Sequence, residues 1–269
     1  WLASLSPRKK AELDFHNRDR DRTQAPQSKD DFDKYYANKK YYSTVARSTK
    51  YIESWIATQA KGKVFLDYAC GNGFNAIKAA RAGASLSIGI DISDTSIANA
   101  RKDAEGLGLD NVVFVQADAE NTKLPDDCID VAICSGMLHH LDLSCAFPEL
   151  RRLLAPGGKI LAVEALNYNP FINLYRRFTP AMRTDWEKNH ILGLSDIVFA
   201  RRFFDVRDVR YWHITGYLGA HARWAAPVLD CADRVMESIP LLRLMAWIFT
   251  FELRSTKESA SSIPLPAGR

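Results

Sequence analysis

The stretch Val64-Phe65-Leu66-Asp67-Tyr68-Ala69-Cys70-Gly71-Asn72-Gly73 decides the fold. Val64 to Leu66 is an apolar run without alternation, the pattern of a strand buried on both faces. Glycines cut it at once, and Phe74 to Ala82 continues with helical spacing, Ile77 and Ala80 on the inner side. Strand, glycine turn and helix N-terminus together let backbone approach a nucleotide-like ligand closely. On spacing alone, Gly71-x-Gly73-x-x-Ala76 also satisfies the dinucleotide fingerprint, so the glycines leave two cofactor classes open.

Asp67, placed before the glycines, separates the two. A carboxylate there suits a cofactor end that carries an ammonium and repels a pyrophosphate. Leu66 to Gly73 resembles the first motif of the class I S-adenosylmethionine (SAM) dependent methyltransferases, of the small-molecule type. The resemblance implies that Asp67 lies near the amino acid part of SAM, with Ala69, Cys70, Gly71, Asn72 and Gly73 passing beside it. Ala69 stands where the family usually has its first glycine, and its Cβ is expected to exclude easy left-handed backbone.

The following 90 residues or so continue the match. Ser85 to Ser93 reads as a second strand ending in Asp91, 18 positions after Gly73, with Ile92 next to it. A carboxylate there can accept both hydroxyls of a ribose. Asp94 to Leu107 reads as a helix, capped by Ser93 or Asp94, with Ile97, Ala98, Ala104 and Leu107 inward. Asn111 to Gln116 is a third strand, and the resemblance implies that Asp118, beside Ala119, accepts from the adenine amino group. Cys128 to Ser135 is a fourth strand, with Ser135 at the cofactor edge. Pro148 suits the first turn of the next helix. Leu154-Ala155-Pro156-Gly157-Gly158 then turns into a fifth strand ending at Glu164, a turn similar to that of class I methyltransferases. Phe203 to Ile214, including His213, and Met245 to Leu253 complete the strands, with helix over Arg223 to Leu244 broken at Pro227 and Pro240.

The expected architecture is α/β, a Rossmann-like seven-stranded sheet, mostly parallel with an antiparallel last strand, helices on both faces and an inserted substrate cover. Residues 1–60 read as an N-terminal helical cap, 61–255 as the methyltransferase domain with the cover at 168–244, and 256–269 as a disordered tail. Within the cap, Asp30 to Gln59 reads as helix, with Tyr41 and Tyr42 candidates for the pocket and packing on the sheet the plainer role.

Composition narrows the partners. The chain has 269 residues and a formal charge of +4. Residues 1–50 carry 12 Lys or Arg against 7 Asp or Glu, a surplus that covers the net charge. Acids alternate with bases in Arg18-Asp19-Arg20-Asp21-Arg22, which reads as a solvated helix, and no nucleic acid partner is expected. The five cysteines lack ligand spacing, so single buried or half-buried thiols and no metal are expected. No signal peptide is recognisable, and Leu241 to Leu253 is too short to span a bilayer. Cytoplasm is the expected location; peripheral membrane contact and a homodimer stay open.

Activated methyl transfer needs mainly alignment, plus a base when the acceptor must lose a proton. His139-His140 follows the fourth strand, and Glu164 ends the fifth; this set is similar to that of sugar O-methyltransferases. His140 is expected as base ahead of His139, with Glu164 in support. Residues 168–225 hold 12 of the 29 aromatic residues, and there Arg183 and His190 are candidates for a polar substrate, although an Arg183–Glu187 salt bridge explains the first as well. The leading expectation is O-methylation of a small molecule, glycan or glycolipid with SAM as cofactor and S-adenosylhomocysteine (SAH) as product. Transfer to nitrogen or carbon of a hydrophobic or lipid-linked acceptor, and a non-catalytic SAM-binding protein, are the alternatives.

Overall fold

The computed structural model describes residues 1–23, 41 and 44–258. Seven strands follow in chain order: β1 (Val64–Tyr68), β2 (Leu86–Asp91), β3 (Val112–Gln116), β4 (Ile129–Ser135), β5 (Leu154–Ala165), β6 (Asp205–Trp212) and β7 (Ile248–Arg254). Their spatial order is β3-β2-β1-β4-β5-β7-β6. The first five run parallel, and β7 lies antiparallel between β5 and β6. Since β1 pairs with β2 on one side and β4 on the other, chain order reverses at β1. Ligand crevices form at the carboxyl ends of strands at such a reversal.

Side chains on successive strand positions point to opposite faces, and both faces are covered. Phe65, Val131, Ile133 and Leu161 pack under α2 (Ala46–Gln59) and α3 (Phe74–Arg81) through Trp55, Ile56 and Ala79. Leu66, Ala132, Ile160 and Phe251 face α5 (Leu143–Leu153) and α8 (Leu194–Ala200) through Phe147, Leu150 and Ile197. Burying Ile56, 1% exposed, is worth about 1.5–3 kcal/mol. α4 (Asp94–Gly106) starts at Ser93, whose hydroxyl accepts from the Ser96 amide, and packs Ile97 and Ala104 inward. Ala98 and Leu107 face outward instead, Leu107 at 53% exposure.

Several local expectations are corrected. α5 begins at Leu143 under an Asp142 cap, so Pro148 sits inside the helix rather than in its first turn. Pro227 falls in the first turn of α9 (Ala226–Ser238), where its missing N–H costs nothing, and Pro240 lies beyond the end. His213 is just past β6 with φ +64°, fully buried, its Nε2 3.0 Å from Ser48 Oγ. Cys145 and Cys231 are exposed, and all five cysteines are free. The first part of the expected 30–59 helix, residues 30–40 and 42–43, and residues 259–269 of the expected 256–269 tail lie outside the described residues.

Three further helices complete the cover: α1 (Pro7–Arg20), α6 (Pro170–Phe178) and α7 (Asp185–Asn189). α1 is capped at both levels of its start, with Pro7 in the first turn and the Ser6 hydroxyl accepting from Lys9 N. Among the described residues no helix is long and apolar enough to cross a membrane.

Candidate active site

The loop after β1 carries three left-handed residues, Ala69 (φ +54°), Gly71 (φ +52°) and Gly73 (φ +75°). Ala69 therefore adopts the conformation its Cβ was expected to exclude, at a cost of about 1–2 kcal/mol. The two glycines serve different ends. A Cβ on Gly71 would meet the Arg20 guanidinium first, 3.7 Å away, whereas one on Gly73 would run into the Phe114 ring and lie 2.9 Å from Ala100 Cβ. Gly73 is thus required by packing, and Gly71 by the turn beside the crevice.

Asp91 fastens this loop: Oδ2 accepts from Gly71 N at 2.8 Å and Oδ1 from Ser93 N at 2.8 Å. Each oxygen keeps a lone pair for a further donor. Asp67 is 2% exposed, and its Oδ2 accepts from Ala76 N at 3.0 Å. It thereby caps α3, which Gly73 cannot do without a side chain. Burial pushes the Asp67 carboxyl up to about 7, against hydrogen bonds from Ala76 and Asn75.

A cavity of about 230 Å³ opens beside the loop. Ala69, Cys70, Gly71, Asn72, Asp91, Ile92, Asp118, Ala119 and Ser135 line it, while Asp67 and Gly73 lie behind its wall. The opposite wall is α1, through Arg8, Lys9, Glu12, His16 and Arg20. Lys9 Nζ lies 2.6 Å from Asp118 Oδ2 and 2.8 Å from Glu120 Oε2, and Arg8 Nη2 2.5 Å from Glu120 Oε1. Arg8 and Lys9 at the start of α1 therefore clamp the helix over the strand ends, and in the alternating 18–22 run Arg22 pairs with Asp103.

A second chamber of about 700 Å³ adjoins the first, sharing His16, Arg20, Phe74, Ser135, Gly136 and His140 with it. Phe171, Ile172, Tyr175 and Tyr217 from the cover, with Tyr41 and Trp247, give it a largely aromatic wall. Tyr42 lies outside the described residues. Arg183 lines this chamber but is engaged, donating to Thr179 O at 3.0 Å and lying 3.4 Å from Glu187 Oε1, from extended backbone rather than a helix. His190 is not in the chamber. It is exposed, stacked on Trp186 at 3.7 Å, in a separate surface groove.

The two histidines pair with different carboxylates. His139 Nδ1 is 2.6 Å from Glu164 Oε2, while Glu164 Oε1 accepts from Met137 N and Leu138 N at 2.9 and 2.7 Å. His139 Nε2 faces Glu187 at 3.9 Å on the chamber wall. Burial lowers the basicity of His139, yet the charge and hydrogen bond of Glu164, with the charge of Glu187, outweigh it and raise its pKa above the usual 6.5. His140 Nδ1 is 3.0 Å from Glu12 Oε2 on α1. Burial and the neighbouring His139 push His140 down to about 3, although Glu12 opposes them. Sequence reasoning missed Glu12, His16, Arg8 and Lys9, because nothing local marks which face of a charged helix will meet the sheet.

The sequence matches the family model described as a methyltransferase domain over residues 59–197. It is 38% identical to the demethylmenaquinone methyltransferase of Thermus thermophilus over 112 residues, 40% of this chain and 50% of that one. It is 37% identical to the 27-O-demethylrifamycin SV methyltransferase of Amycolatopsis mediterranei over 101 residues, 37% of each chain. The chain thus spans about half the length, or less, of these curated relatives. Its fold is shared with YcgJ of Bacillus subtilis (TM-score 0.55, 18% identity, 78% of this chain and 100% of that one). It is shared as well with the [4+2]-cyclase SpnF (TM-score 0.56, 20% identity, 78% and 81%).

Proposed function

The chain belongs to the methyltransferase-domain family, and from that premise we propose that it transfers a methyl group from SAM to a hydroxyl of a small-molecule, glycan or glycolipid acceptor. The residues of the first cavity fit the cofactor. Asp91 has lone pairs to spare for two ribose hydroxyls, Ile92 and Ala119 offer apolar contact to a base, and Asp118 supplies an acceptor at its edge. Lys9 holds Asp118 at 2.6 Å, so α1 reads as the cover of that end. SAM supplies a methyl group already activated on a sulfonium.

What the chain must add is alignment and, for a hydroxyl acceptor, removal of a proton. His139 suits that task better than the expected His140. With Nδ1–H donated to Glu164, its Nε2 lone pair is the one turned to the chamber, and the raised pKa makes it the stronger base. Glu164 also borders the chamber, but its side chain is buried and both oxygens are engaged, so its role is to position the ring. The observation that carries the proposal is this 2.6 Å His139–Glu164 pair on the wall between the aromatic chamber and the strand ends.

A second reading is supported by α6. Phe171, Leu174 and Phe178 are 65, 53 and 76% exposed on one stripe, and Phe171 with Ile172 and Tyr175 of the same helix lines the chamber. An apolar stripe beside the chamber suits a lipid-linked acceptor reached at a membrane surface, with transfer to nitrogen or carbon. The same fold in a cyclase is the reason to test transfer directly. Methyl-labelled SAM incubated with the protein and a cell extract, read by mass spectrometry, is expected to label an acceptor oxygen, with the signal reduced at least about a hundredfold in His139→Ala. Label on nitrogen or carbon that survives the substitution favours the second reading. SAH binding without any labelled product favours a non-catalytic role.

A further inference from the structure

A zwitterionic amino acid tail presents a carboxylate as well as an ammonium, and the sequence motifs provide no cation for it. Three Lys or Arg side chains line the first cavity among the described residues, Arg8, Lys9 and Arg20. Two are committed: Arg8 to Glu120 and the His140 carbonyl, Lys9 to Asp118 and Glu120, both acids lying just after β3. Arg20 differs. Among the described residues its carboxylate neighbour is Asp19, 3.5 Å from Nε, and that Nε is buried with no hydrogen-bond partner among them.

Arg20 is also fixed in place over the glycine turn. Its Cζ and Nη2 lie 3.7 Å from where a Gly71 Cβ would stand. Its carbonyl accepts from Asn99 Nδ2 at 2.9 Å, and the same amide donates to Asn72 Oδ1 of the turn at 3.2 Å. Two residues on, Arg22 makes a bidentate pair with Asp103, both bonds 2.7 Å, which anchors the end of α1 to α4. The guanidinium is therefore held against the backbone of Gly71, at the opposite end of the cavity from Asp118. Resting on the cofactor reading above, we infer that Arg20 binds the carboxylate of the cofactor's amino acid tail, as the one pocket cation left free to do so among the described residues.

A guanidinium–carboxylate pair of this kind contributes strongly because both partners are charged and the geometry is forked. The competing explanation is that Arg20 merely complements the carbonyl end of α1. The two separate in calorimetric titrations of SAH and of 5′-methylthioadenosine, which keeps the nucleoside and sulfur and lacks the amino acid tail. Wild type, Arg20→Ala and Arg20→Lys would be compared, with thermal melts to check folding. The inference expects Arg20→Ala to weaken SAH by about ten- to a hundredfold and 5′-methylthioadenosine by less than about twofold, with Arg20→Lys in between for SAH. An equal loss for both ligands makes Arg20 a helix anchor and overturns the inference. Unchanged SAH affinity overturns it as well. Wild type that binds neither ligand removes the cofactor reading itself, a result distinct from the other two.

Discussion

The two walls of the site are built on different principles. One wall is the carboxyl edge of the sheet: the Ala69–Gly73 turn, Asp91, Asp118 and the His139–Glu164 pair, each held by backbone hydrogen bonds within the sheet layer. The other is α1, which reaches that edge almost entirely through side chains, Arg8, Lys9 and Glu12 pairing with Glu120, Asp118 and His140. Adjacent histidines show the consequence: His139 takes its carboxylate from β5, His140 from α1. On the proposed reading, the base sits on the sheet-edge wall, and α1 adds side-chain contacts that help to retain the cofactor.

The sharpest way to break this division is His139→Ala. It is expected to lower kcat/KM for an oxygen acceptor by about 10²–10⁴ while SAH affinity, by calorimetry, stays within about threefold. A comparable loss in SAH binding would place His139 on the retention side. Glu164→Gln comes next, with activity down about tenfold to a hundredfold and a changed pH profile. His139 works as a base only when neutral, so kcat/KM should rise with pH through its raised pKa. Removing the Glu164 charge leaves burial, which favours the neutral ring, opposed by the charge of Glu187, so the rising limb should move to lower pH in the variant.

On the helix wall, Glu12→Ala strands His140 Nδ1 and the Thr184 hydroxyl, which it accepts from at 2.5 Å. Lost stability of about 1–3 kcal/mol and SAH binding weaker by about tenfold are expected, with the rate at saturating SAM within about threefold. A rate loss as large as that of His139→Ala would erase the difference between the walls. The smallest effect is expected at the turn: Ala69→Gly relieves the left-handed strain and should raise stability by about 1 kcal/mol, about 2–4 °C in Tm, if the turn keeps its φ of +54°.

The same division explains what the sequence made legible. Residues 64–164 announce themselves because a parallel strand is an apolar run and each crossover starts and stops at glycine, proline or a cap, as at Gly71, Ser93 and Gly158. Acids at successive strand ends follow from the same periodicity, and Asp91 and Asp118 do line the cavity. Asp67 reads toward a ligand in the sequence, and its position suits a helix cap as well; in the structure it is buried and accepts from Ala76 N. Ala69 misled because tertiary constraint overrode its preference for negative φ. The wall made by α1 was hidden, since the Arg, Lys and Glu side chains of a charged helix look alike whether they face water or a neighbouring partner. His140 outranked His139 in the sequence for lack of the knowledge that Glu164 would turn toward one ring and Glu12 toward the other.

That assignment of the two rings is the central claim, and it can be measured without an acceptor. Protein labelled with ¹⁵N-histidine, with His139→Gln and His140→Gln to assign the signals, would be titrated by NMR. The account predicts a His139 midpoint above 6.5 and a His140 ring that stays neutral well below pH 5. A His140 midpoint above that of His139 would contradict it, and would return the base to the ring held by α1.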